Sequence, residues 1–306
     1  MILGQNILKG RQSFASATEA ENFVVNCENV FEARLDEIAE SVASNREIKI
    51  VALSGPSCSG KTTTANKLIR ELESRGRKVH VVSIDDFYYD RAYLEELAEE
   101  TGKLDYESIR SIDFDEFVEC VSEIFTKGKT KVPRFDFKVG KRVGFVEYDA
   151  REEDIFIFEG IQAIYPEITS VLAKYPSVSI CICVMSSIEV GGKIFEPNEI
   201  RFLRRVVRDY HFRNSEPEFT MELWDGVRAN EDVNIFPYID GVDMKIDSAL
   251  AFELSMLKPY LEEILPKVSK ESRFASVAAN VLEKIKDIQP VPKDYISENS
   301  LYNEFI

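Results

Sequence analysis

The chain has 306 residues, 44% hydrophobic and 30% charged, with 54 acidic against 38 basic side chains and a formal net charge of −16. That length and apolar content allow one large domain or two modest ones with a full core, and set the chain apart from disordered sequences. The acidic balance disfavours non-specific binding to nucleic acid or to an anionic membrane, so any anion site must be a local concentration of positive charge.

Residues 1–27 have mixed polarity and no clear period. They carry no long apolar stretch of the secretory kind, and no apolar run in the chain nears a membrane span, so a cytoplasmic protein is expected. Val30, Phe31, Leu35, Ile38, Ala39 and Val42 recur at helical spacing, which predicts a helix over 30–42. Short apolar runs predict buried strands at Ile48–Leu53, Val79–Ile84, Asp154–Glu159, Val178–Met185 and Gly241–Ile246. Helical patterns fill 62–75, 92–100, 113–126, 167–174, 198–212, 216–229, 249–264 and 271–287. Continuous apolar strands alternating with helices imply an α/β fold, a parallel sheet with helices on both faces and a helical C-terminal part. The expected division is an N-terminal extension with one helix over 1–45 and a single domain over 46–306. The five cysteines form no CxxC pair, and Cys181 and Cys183 should face one side of a strand as small core residues.

Between the first strand and the next helix stands Gly55-Pro-Ser-Cys-Ser-Gly60-Lys61-Thr62, which fits GxxxxGK[ST] at every fixed position. In such a P-loop, glycines let backbone N–H groups cradle phosphates, the lysine reaches the β- and γ-phosphates, and the hydroxyl binds Mg²⁺. Gly55, Ser57, Cys58, Ser59, Gly60, Lys61, Thr62 and Thr63 are therefore the expected ATP-binding residues, and the fold is that of a P-loop NTPase. A GTPase should carry NKxD at a strand end, whereas Asn66-Lys67 lies inside a helix. With only His80 and His211 in the chain, a histidine metal site or a Ser-His-Asp triad has almost nothing to be built from.

Two carboxylates fall at predicted strand ends, Asp85 and Glu159, where open α/β sheets place ligands. Phosphoryl transfer needs an acceptor for the substrate hydroxyl's proton, which suits Asp85, and oxygen ligands for Mg²⁺, which suits Glu159 and Thr62. Arg201, Arg204, Arg205 and Arg208 fall within an arc of about 100° on one helix. Like charges so close ask for an anion opposite, either surface acids or the transferring phosphoryl group, and after the P-loop the second is expected, with about 198–215 as a closing lid. The aromatic cluster Phe87, Tyr88 and Tyr89 is either plain packing or the wall of a sugar or base site beside Asp85, and the second is expected.

Together these residues resemble the uridine kinase/phosphoribulokinase family. The similarity lies in GPSCSGKTT, Ser83-Ile-Asp-Asp-Phe-Tyr88, Val132-Pro-Arg-Phe-Asp-Phe137, Phe158-Glu-Gly-Ile161 and Arg204-Arg-Val-Val-Arg-Asp-Tyr-His-Phe-Arg213. Trp224-Asp-Gly-Val-Arg228, Asn234-Ile-Phe-Pro237, Asp247-Ser-Ala-Leu250 and Asn299-Ser-Leu-Tyr-Asn-Glu-Phe-Ile306 look most like a bacterial nucleoside kinase-like branch. That branch is usually fused behind a threonyl-tRNA-synthetase-like region, which this chain is expected to lack.

The resemblance implies a kinase using ATP and Mg²⁺ on a small acceptor, with Asp85, Lys61 and Arg208 catalytic and with Thr62 and Glu159 around the metal. It implies that Arg204, Arg208 and Arg213 reach ATP phosphates, that Asp105 holds ribose hydroxyls, and that Tyr88 and Arg205 line the acceptor pocket. The base-recognition part departs from the pattern. Uridine kinases usually carry Tyr-Asp-Phe and, three residues on, a pyrimidine-contacting His; here those positions hold Phe135 and Gly140, and a lid arginine is replaced by Ser215. The expected acceptor is the 5′-hydroxyl of a pyrimidine nucleoside, with another polyol or sugar phosphate, or a non-catalytic nucleotide-binding regulator, as alternatives. No nucleic-acid or membrane partner is expected, and a homo-oligomer is compatible with the sequence.

Overall fold

The computed structural model describes residues 6–101 and 107–306, without the side chains of Glu100 and Thr101. Asp105 lies outside the described residues. The centre is a five-stranded parallel sheet of β2 (Ile50–Ser54), β3 (Val79–Ser83), β6 (Ile155–Glu159), β7 (Ser177–Cys183) and β10 (Met244–Asp247), in the order β10-β7-β2-β6-β3. The strand period of two divides the core. Val51, Leu53, Ile155, Ile157, Ile180 and Ile182 pack on one face, with α1 (Ala17–Ser44), α2 (Lys61–Ser74), α6 (Pro197–Arg213), α8 (Glu253–Ile264) and α9 (Ala275–Ile285). Ile50, Ala52, Phe156 and Phe158 face the other way, toward α4 (Phe114–Lys127) and α5 (Pro166–Leu172). Cys181 and Cys183 share that second side, fully buried against Ile164, Ile235 and Ile239. α3 (Arg91–Thr101) and α7 (Pro217–Asn234) complete the α-helices among the described residues. Among the described residues no helix is long and apolar enough to cross a membrane.

The N-terminal part is woven into this core. α1 begins at Ala17, well before the predicted start at residue 30, because Ser16 caps it: its Oγ accepts from Glu19 N at 3.1 Å, and Glu19 accepts in turn from Ala15 N at 2.6 Å. β1 (Ile7–Lys9) pairs in parallel with β8 (Ser187–Val190), which forms a hairpin with β9 (Lys193–Phe195). Residues 6–44 thus share the core of 46–306. A second hairpin, β4 (Lys129–Asp136) with β5 (Lys141–Asp149), was not anticipated from the sequence. Its turn closes through Gly140 N donating to Asp136 O at 2.7 Å, with Gly140 at φ +66°.

Candidate active site

The sheet topology brings three chain segments to one edge. Leu53 on β2 lies beside Glu159 on β6, which lies beside Ser83 on β3. The P-loop leaves β2 one residue after Leu53, and Asp85 follows Ser83 by two, in a 3₁₀ turn over Ile84–Phe87. Ser57, Cys58, Ser59, Lys61, Thr62, Asp85, Glu159, Arg208 and Arg213 consequently line one cleft of about 470 Å³, together with Glu107, Ile161, Phe212 and Glu304.

The loop conformation is that of a phosphate cradle. Gly60 sits at φ +88° as the residue before α2, and Cys58 is held at φ +59°, a region that costs a non-glycine residue strain. A Cβ on Gly55 would stand 2.3 Å from Ile182 O, so only glycine lets the loop leave the strand this way. The Ser59 hydroxyl is buried with no protein partner, as a group awaiting a phosphate oxygen would be.

Asp85 is half-buried, and its carboxyl is pushed up to about 6 by burial first and by Glu159 second, against the pull of Lys61. The two carboxylates therefore share one electrostatic space with the P-loop lysine. That arrangement fits a hard dication, which would relieve the repulsion, with the exposed Thr62 and with Glu159 as protein oxygens. Among the described residues no three His, Cys, Asp or Glu side chains could hold a metal by themselves, so phosphate oxygens and water would complete its shell.

The arginines divide into two groups. Arg201 and Arg204 are fully buried, and each already has a protein anion. Arg201 bonds both oxygens of Glu231 at 2.6 Å and donates to Ser57 O at 3.0 Å. Arg204 donates to Glu253 at 2.8 and 2.5 Å, to Ser248 O at 2.6 Å and to Cys58 O at 3.2 Å. The anions opposite this part of the stripe are glutamates, and the guanidinium groups prop the P-loop from behind. This corrects the expectation that Arg204 reaches ATP, since its donors are directed into the core. Arg205 sits beside the loop as well, donating to Ser57 Oγ at 3.0 Å. Arg208 and Arg213 do line the cleft, gathered by Asp209 at 2.6 and 3.5 Å. The stretch expected as a lid is mostly a packed helix; its exposed part is the last turn, His211 to Arg213, with Asn214 after it.

Beside Asp85 along the chain, the buried Tyr88 hydroxyl accepts from Gln162 Nε2 at 3.0 Å, and burial raises it far above the usual phenol range. Phe135 packs on Tyr88 at 5.7 Å between ring centres. Gly140 faces Arg91: a Cβ there would meet Arg91 Nε at 2.7 Å, and Arg91 N donates to Gly140 O at 2.7 Å. His80 is a packing residue, stacked on Phe156 and 2.7 Å from Asp154. Sequence reasoning missed Asp209, Glu231, Glu253, Gln162 and Glu304. A carboxylate needed to pair the helix arginines was the available signal for Asp209, Glu231 and Glu253, but 54 acidic residues hide those three.

Comparison with known proteins fits this geometry. A uridine kinase of Ureaplasma urealyticum is 28% identical over 177 residues, which is 57% of this chain and 75% of that protein. Uridine-cytidine kinase C of Dictyostelium discoideum is 26% identical over 180 residues, 58% of this chain and 34% of its own. In fold, the chain is similar to a solved protein of Silicibacter sp. TM1040 described as a fructose transport system kinase, with a TM-score of 0.53 and 22% identity over 69% of this chain and 98% of that one. Residues 50–253 match the Phosphoribulokinase / Uridine kinase family, and the chain belongs to that family of P-loop kinases.

Proposed function

We propose that this protein transfers the γ-phosphoryl group of ATP to a hydroxyl of a small sugar-containing molecule, the 5′-hydroxyl of a pyrimidine nucleoside being the first acceptor to test. The observation that carries the reading is the position of Asp85: a carboxylate with a raised pKa at a strand end, in one cleft with Lys61 and Thr62. A nucleotide regulator has no use for a proton acceptor there.

In this scheme Asp85 takes the proton of the attacking hydroxyl, a role that a carboxylate poised near neutrality performs well. Lys61 and the loop N–H groups hold the phosphates, while Arg208 and Arg213 stabilise charge spread over the transferring group. Magnesium, when bound, neutralises phosphate charge, and Thr62 and Glu159 are the residues that would hold it. Tyr88 and Phe135 wall the acceptor side.

One observation favours a second acceptor class. Arg91 packs against Gly140, the position expected to carry base-recognising chemistry, so the surface there offers a cation in place of an imidazole. A polyol or sugar phosphate would suit it. ATP consumption measured against panels of nucleosides, sugars and sugar phosphates separates the classes. Turnover with uridine or cytidine supports the first reading, and turnover with phosphorylated sugars alone supports the second. No turnover with any acceptor, despite ATP binding, would leave the regulator reading.

A further inference from the structure

The first turn of a helix leaves backbone N–H groups free for an anion, and in α2 one of them already has an anionic partner. Thr63 N donates to Glu304 Oε2 at 3.2 Å, and the Thr63 hydroxyl donates to the same oxygen at 3.1 Å. Glu304 lines the cleft with Lys61, Thr62 and Arg208. A carboxylate oxygen that accepts one N–H and one O–H at this helix start does what a nucleotide phosphate oxygen would do.

The segment carrying Glu304 is fixed. A Cβ on Gly60 would lie 2.1 Å from Leu301 Cδ1, so the segment rests directly on the loop. Tyr302 donates to Glu253 at 3.0 Å, and Phe305 lies 4.8 Å beneath Arg204; both rings are fully buried. Lys293 donates to Ile306 O at 2.8 Å. The backbone cannot leave without opening the core, whereas the half-buried Glu304 side chain can turn aside.

We propose that Glu304 is a donor-site residue: it occupies a phosphate position in the empty enzyme, the incoming triphosphate displaces it, and it thereby sets donor affinity. The proposal rests on the donor-site reading above. Displacement also differs from mere charge repulsion. A competing contact persists at high salt, while a through-space effect is screened within about 3 Å at 1 M.

The test is direct binding of ATP and of inorganic triphosphate to the full chain by calorimetry, for wild type, Glu304→Ala and Glu304→Gln, at 0.1 and 1 M salt. Losing a hydrogen-bonded charged competitor should tighten ATP and triphosphate binding roughly tenfold in Glu304→Ala at both salt concentrations, with Glu304→Gln in between. The acceptor KM should stay unchanged. Equal or weaker binding in both variants, with a lowered melting temperature, makes Glu304 only a cap of α2 and overturns the proposal. A gain that vanishes at 1 M salt overturns it too. If Glu304→Ala fails to fold, the isosteric Glu304→Gln decides alone. Absence of binding in wild type and variants alike removes the donor site itself, an outcome distinct from equal binding in all three, which removes only the gate.

Discussion

Arg204 and Glu253 meet through two hydrogen bonds, 2.8 and 2.5 Å long, with neither side chain reaching solvent, and the same guanidinium donates to Cys58 O in the P-loop. Removing one partner of such a pair leaves an uncompensated buried charge, at a cost of about 3–5 kcal/mol. Arg204→Ala should therefore lower unfolding free energy by that amount in urea titrations. Arg208→Ala, four residues on, should change it by less than about 1 kcal/mol and instead lower turnover roughly 10²–10³-fold. The reverse ranking would assign the two arginines the opposite roles.

Lys61→Ala should abolish phosphoryl transfer with little change in melting temperature, because Lys61 faces the cleft and contributes charge at the phosphates. Since Lys61 also pulls the Asp85 carboxyl down, its loss should move that group higher still. Wild-type turnover in this variant would take the loop out of the mechanism.

Asp85 carries an opposed pair of effects. Its carboxyl titrates near 6 in the folded chain against an ordinary 3.8, so the folded state binds the proton more tightly than the unfolded state. Ionised Asp85 thus lowers stability above pH 6, by up to about 3 kcal/mol at 1.36 kcal/mol per pKa unit. Asp85→Asn should raise the apo unfolding free energy at pH 8, and the gain should shrink between pH 6 and 4 and be absent below. Turnover should fall by about 10²–10⁴-fold in the same protein. A variant both less stable at pH 8 and fully active would contradict the assignment.

The same titration should show in the pH dependence of the rate. A general base must be deprotonated in the free enzyme, so kcat/KM should drop about tenfold per pH unit below pH 6 and level off above it. Flat kcat/KM from pH 5 to 7 would exclude Asp85 as the titrating base.

The sheet strands, the P-loop and the placement of Asp85 and Glu159 were legible because each depends on local pattern: an apolar run, a glycine spacing, an acid just after a strand. What stayed hidden depends on partners distant in sequence. The arginine stripe was visible, but whether its anion was a ligand or a glutamate was not, because Glu231 and Glu253 look like any exposed acid until α7 and α8 pack. The start of α1 did have a local sign, Ser16-Ala-Thr-Glu19, masked because Glu28 interrupts its apolar stripe. The β4–β5 hairpin was missed because β5 is exposed along most of its length and lacks clean alternation.

That exposure matters for how the molecule breathes. Among the described residues β5 is paired only with β4, and Val143, Phe145 and Val146 face solvent. Yet the hairpin steadies the turn that bears Asp85: Phe135 N donates to Asp86 Oδ1 at 2.9 Å, and Arg142 donates to Phe87 O and Tyr88 O, each at 3.2 Å. A two-stranded ribbon is only marginally stable by itself. Amide protons of 129–149 should therefore exchange through local opening, and those at 85–89 should follow them, while the β2, β6 and β7 amides wait for global unfolding. The arm of the cleft that bears Asp85 and the arm that bears the P-loop would then belong to different cooperative units, the first loosening long before the second.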